Sequence, residues 1–126
     1  MLTAHDLVME AKKHIVEVTP QEARSLLDSG LLLLDVREPA EYEEGHVPRA
    51  INIPRGMLEF KMSQDESLSN RQQPILLYCK TSGRAALSAV ALQTLGFEQV
   101  RSIAGGFDAW CGASLPTDKP KALSFE

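Results

Sequence analysis

Apolar and polar positions along the chain switch between helical and strand periods, and the switches lay out the elements. Residues 3–14 carry Leu7, Val8 and Ala11 on one side of a helix, with Thr3 placed to cap it. Lys12, Lys13 and His14 fall in its last turn, where cations suit the dipole. Residues 15–18 follow as a short strand. Thr19-Pro20-Gln21-Glu22 reads as a capping box with proline at the first helical position. The helix it opens runs to about Ser29, with Ala23, Leu26 and Leu27 inward, and stops at Gly30. Residues 31–36 are apolar without alternation, the pattern of a strand covered on both faces of a parallel sheet. Residues 37–50 form an irregular link with one helical turn after Pro39. Residues 51–53 are a short strand closed by Pro54, and 55–62 are helical, with Met57, Leu58 and Met62 apolar. A polar connection over 63–73 leads to a second apolar strand at 75–79, a tight loop, and an alanine-rich helix over 83–95 that ends at Gly96. Residues 100–103 are a last strand and 104–106 a turn. Residues 107–113 are a helical piece with Phe107 and Trp110 on one side, and Pro116 and Pro120 exclude a long helix in the tail.

Strands alternating with helices predict an α/β fold, a three-layer sandwich with a central, mainly parallel sheet and helices on both faces. With 126 residues the chain is expected to form one domain over 14–115, preceded by a helical extension at 1–13 and followed by a tail at 116–126.

Composition narrows the function. A net charge of −4 and the lack of a long basic run argue against a nucleic-acid partner. No apolar run is long enough to cross a bilayer. His5, Asp6 and Glu10 occupy the region where a signal peptide would need basic and apolar segments, so a cytoplasmic protein is expected. The two cysteines, Cys79 and Cys111, lie far apart, with neither a CxxC pair nor a zinc-type spacing. A disulfide framework is therefore not expected, and neither a metal nor a cofactor is called for.

The chemistry concentrates at the end of the second apolar strand. Cys79 is followed by Lys80, Thr81, Ser82, Gly83 and Arg84, and then by the start of a helix. A helix N-terminus at the carboxyl end of a strand offers free amides and a positive dipole end, a natural anion site. Gly83 permits close approach, Thr81 and Ser82 supply hydroxyl donors, and Lys80 and Arg84 supply charge. That setting favours the thiolate, so Cys79 is expected to act as a nucleophile on an anionic substrate, with Lys80 to Arg84 binding it. Cys111, beside Trp110 in a short helix, is expected to be a core or half-buried thiol. His46 is expected to be a hydrogen-bonded structural residue, and Asp35 with Arg37 an ion pair or loop anchor. Glu38, Glu41, Glu43 and Glu44 read as a solvated face.

Three segments resemble the rhodanese family. These are Leu33-Leu34-Asp35-Val36-Arg37-Glu38-Pro39 with Glu41-Tyr42, then Gly45 through Pro54, then Tyr78-Cys79-Lys80-Thr81-Ser82-Gly83-Arg84-Ala85. Leu95-Gly96-Phe97 and Ala104 through Trp110 also fit. The resemblance implies a single-domain, thiosulfate-type sulfurtransferase in which Cys79 carries sulfur as a persulfide and the loop Lys80 to Arg84 cradles the donor. It further implies a small sulfane-sulfur donor such as thiosulfate and a thiophilic acceptor, either cyanide, a thiol or a protein cysteine. A rival implication is a persulfide carrier or interaction module fed by a protein donor that docks on the 3–14 helix. Related phosphatases carry a loop one residue longer, and the six positions from Cys79 to Arg84 suit sulfur rather than phosphate. Arg49 departs from the family, which usually has glycine there.

Overall fold

A computed structural model describes residues 1–120. Its core is a five-stranded sheet in the order β1-β5-β4-β2-β3, formed by β1 (Val16–Val18), β2 (Leu32–Asp35), β3 (Ile51–Asn52), β4 (Ile75–Tyr78) and β5 (Val100–Ile103). Every pairing is parallel, including Leu33 with Leu76 and Asp35 with Tyr78. β4 lies between β5 and β2, and all four of its residues are buried.

Strand side chains alternate between the two faces, which divides the core. Leu34, Ile75 and Leu77 pack with Leu58 and Met62 of α4 (Leu58–Gln64) and with Ala85, Ala89 and Leu92 of α5 (Gly83–Thr94). Leu33, Leu76 and Tyr78 pack with Ala23 of α2 (Pro20–Leu27) and Trp110 of α6 (Gly106–Gly112). The expected three-layer arrangement is thus present. The alanines of α5 carry little side-chain bulk, which lets the helix sit close to β4 and holds its N-terminus at the strand end.

The helix caps follow the sequence. Thr3 opens α1 (Ala4–Lys12) and Thr19 opens α2, each through a reciprocal box with Asp6 or Glu22. The turn after Pro39 is α3 (Pro39–Glu44). The segment expected as one helix over 55–62 divides into a 3-10 turn, Arg55–Met57, and α4. Met57 is consequently exposed, whereas Leu58 and Met62 are buried. On α1, Ala11 is buried but Leu7 stays exposed, because only the Val8–Ala11 side meets α5.

Beyond α6 the chain folds back. Trp110 Nε1 donates to the Pro116 carbonyl at 2.7 Å, and His46 and Asp118 exchange backbone hydrogen bonds at 2.9 and 2.8 Å. Among the described residues no helix is long and apolar enough to cross a membrane.

Candidate active site

β4 delivers Cys79 to the carboxyl edge of the sheet, buried under the first turn of α5. Its Sγ accepts a hydrogen bond from the Ala85 amide at 3.3 Å. The chain from strand end to helix start therefore closes around the sulfur.

What shapes this loop is α6. The amide of Phe107 donates to the Cys79 carbonyl at 2.8 Å, and that of Asp108 to the Lys80 carbonyl at 3.0 Å. Gly106 sits at φ 60°, and a Cβ there would run into the carbonyl oxygens of Cys79, Lys80 and Thr81. Within a planar trans peptide the N–H points opposite to the C=O. With those three carbonyls turned toward α6, the amides of Lys80, Thr81 and Ser82 must turn away from it. Among the described residues, no amide from Lys80 to Arg84 donates to a protein acceptor. Together with the dipole of α5 they form an anion cradle made of backbone.

The two cations of the loop are neutralised by carboxylates. Arg84 grips Glu41 of α3 through both guanidinium nitrogens, at 2.6 and 3.0 Å. Lys80 Nζ lies 2.9 Å from Asp108. Glu41, expected on a solvated face, is therefore a structural partner of the loop. The hydrogen bond from Arg84 holds its carboxyl at about 2, well below the ordinary 4.5. The same bond raises the Arg84 guanidinium. Thr81 is exposed and Ser82 half-buried, and both follow directly on the cradle.

Beneath the loop lies a buried polar anchor. Asp35 accepts from the Arg37 amide at 2.9 Å, from Arg37 Nη2 at 2.8 Å and from the Tyr78 hydroxyl at 2.8 Å. Arg37 also donates to the Gly45 carbonyl at 2.7 Å, and the Tyr78 hydroxyl accepts from the Val47 amide at 3.0 Å. Asn52 donates to the carbonyls of Asp35 and Arg37. Burial lowers the Arg37 guanidinium, but the hydrogen bond and charge of Asp35 outweigh it and leave it raised. Burial, reinforced by the Asp35 charge, pushes the Tyr78 phenol far above its ordinary range, so it stays protonated as a donor. These bonds tie β2, β4 and the link at 45–47 into one rigid base.

The remaining candidates fall outside the cradle. His46 Nδ1 donates to the Tyr42 carbonyl at 3.0 Å, and its ring stacks on Tyr42 with centroids 3.8 Å apart. Cys111 is exposed rather than half-buried, because α6 turns it outward while Trp110 fills the core. Arg49 adopts φ 73°, a backbone region that favours glycine. Its side chain lines a depression with Arg24, Leu27 and Trp110, on the α2 and α6 side of the sheet. Among the described residues, no group of three or more His, Cys, Asp or Glu side chains is arranged to hold a metal ion.

Sequence reasoning missed Glu41, Gly106 and Asp108 as parts of the site. The signal for Gly106 was the Gly105-Gly106 pair, which reads as an ordinary turn unless the β4 loop is known to lie against it. Glu41 and Asp108 are distant in sequence from the residues they pair with and left no local mark.

Residues 19–113 match the family model for the rhodanese-like domain. The chain is 32% identical over 114 residues to thiosulfate sulfurtransferase 18 of Arabidopsis thaliana, covering 82% of this chain and 84% of that protein. It is 33% identical over 103 residues to the thiosulfate sulfurtransferase GlpE of Haemophilus influenzae, covering 81% and 93%. A solved structure from Rhodopseudomonas palustris, described as a protein of unknown function and possible tyrosine phosphatase, superposes with a TM-score of 0.84 at 30% identity, covering 94% of this chain and 96% of that one.

Proposed function

The chain belongs to the rhodanese-like domain family, a family of sulfurtransferases, and from that membership we propose that it moves sulfane sulfur through a persulfide on Cys79. One observation carries this reading: Cys79 Sγ rests against the Ala85 amide at 3.3 Å, within a loop whose other amides are free for an anion. The donor is thiosulfate or a related sulfane compound. The Cys79 thiolate attacks its outer sulfur, the S–S bond breaks, and the electron pair departs with sulfite. The outer sulfur remains on Cys79 as a persulfide anion, stabilised by the same amides that bound the donor. An acceptor such as cyanide or a thiolate then attacks that terminal sulfur and returns Cys79 to the thiolate. Lys80, Thr81, Ser82, Gly83 and Arg84 bind substrate chiefly through their backbone, with the two hydroxyls as further donors.

Leaving-group chemistry favours sulfur over phosphate. Sulfite is a stable anion and needs no proton as it departs, whereas an alkoxide expelled from a phosphate ester does. Glu41, one of the carboxyls beside the loop, is held ionised by Arg84 and has no proton to give at neutral pH. A second reading draws on α1, which packs against α5 and places Val8 3.4 Å from where a Cβ on Gly83 would stand. A protein donor docked on α1 would reach the cradle, making the chain a persulfide carrier.

The test is sulfite release. Wild type given excess thiosulfate and no acceptor is expected to release sulfite in proportion to chain, and Cys79→Ala none. Equal release by both proteins would refute the role of Cys79. No release from thiosulfate, with sulfur accepted from a protein persulfide, would select the carrier reading.

A further inference from the structure

The side chains around the cradle have an unexpected charge balance. A depression of about 280 Å³ opens beside the loop, with Arg37, Glu41, Glu44, Lys80, Phe107 and Asp108 on its wall. Arg37 is paired with Asp35, Glu41 with Arg84, and Lys80 with Asp108. Glu44 has no ion-pair partner among the described residues and is exposed. The wall therefore presents no uncompensated cation and one uncompensated carboxylate. Asp108 is held in this position twice, by its amide on the Lys80 carbonyl at 3.0 Å and by its carboxylate on Lys80 Nζ at 2.9 Å. Lys80 directly follows Cys79 in the chain, and Asp108 cancels its charge.

We propose that Asp108 and Glu44 are specificity-determining residues that make the site select its sulfur acceptor by charge, favouring a thiol with a positive group near the sulfur and disfavouring an anionic thiol. The proposal rests on the sulfur-transfer reading above and names the acceptor class for it. In the step concerned, an acceptor thiolate attacks the terminal sulfur of the Cys79 persulfide. A new S–S bond forms on the acceptor, the bond to Cys79 breaks, and its electron pair returns to the Cys79 thiolate. The amides still bind the small anionic sulfur at the centre. The body of the acceptor remains outside, against the wall, where it meets the acidic side chains. Charges a few ångströms apart near a protein surface interact strongly enough to change a rate severalfold.

The experiment loads Cys79 with sulfur, removes the donor, and measures the rate of sulfur removal by three thiols of similar size. Cysteamine is cationic, 2-mercaptoethanol neutral and 3-mercaptopropionate anionic. Each thiol is compared with itself between proteins, so its intrinsic reactivity cancels. In Asp108→Asn combined with Glu44→Gln, the ratio of cysteamine to 3-mercaptopropionate rates, each taken relative to the 2-mercaptoethanol rate of the same protein, is expected to fall about fivefold or more. Raising the salt concentration should compress the same ratio in wild type by screening. A ratio that the substitutions and salt both leave unchanged would overturn the charge selection while the sulfur-transfer reading stands. Failure of Cys79 to load from any sulfane donor would overturn both.

Discussion

In the proposed reaction Cys79 depends on residues that do not touch the substrate. Gly106 is the clearest case, since it alone leaves room for three carbonyl oxygens of the β4–α5 loop to turn inward toward α6. Gly106→Ala would put a Cβ among them at an unfavourable φ of 60°. The loop would have to shift, and a misplacement of about 1 Å at a reacting centre costs about a hundredfold in rate. The expected result is loss of sulfur transfer with the fold retained by circular dichroism; full activity would mean that the carbonyl mould does not set the amides. Tyr78 plays a comparable part from below. Tyr78→Phe removes a buried hydroxyl that donates to Asp35 and accepts from Val47, leaving the Val47 amide without a partner and Asp35 with its Arg37 donors alone. Such a loss costs about 1–3 kcal/mol, to be read from the shift in urea unfolding free energy.

At the level of elements, the loop is clamped between α3 and α6. The α3 side of the clamp is the Glu41–Arg84 pair, and its strength follows pH. The folded pKa of Glu41 is about 2 against an ordinary 4.5, so its contribution is complete above 4.5 and is lost as pH falls through about 2. Because the two side chains are about one-third exposed, the pair is worth about 1 kcal/mol or less. Unfolding free energies of wild type should therefore fall more steeply between pH 4.5 and 2 than those of Glu41→Gln. Parallel profiles would show that the pair adds nothing. The elements themselves were readable from the chain: both threonine caps, the two apolar strands and the alanine-rich helix follow from local chemistry. The clamp was not readable, because Glu41 with Arg84 and Asp108 with Lys80 join residues that only the folded sheet brings together. The same blindness misjudged Cys111, whose exposure depends on which way its helix turns rather than on residue type.

Across the whole molecule, the candidate site lies where the carboxyl end of β4 meets the N-termini of α5 and α6, with a buried Asp35–Arg37–Tyr78 base beneath. The strand–loop–helix pattern located this place in the sequence and singled out Cys79, but it suggested a site charged by Lys80 and Arg84. In the folded chain those charges are cancelled, which leaves the amides at the helix start, also expected from the strand–loop–helix pattern, as the groups free to meet an anion. The central claim is that this cradle holds a transferable sulfur on one cysteine. Peptide mapping by mass spectrometry, after thiosulfate treatment and alkylation of the persulfide, tests it most directly. The extra sulfur is expected on the peptide that contains Cys79 and not on the one that contains Cys111; sulfur on Cys111, or on neither cysteine with any sulfane donor, would contradict it.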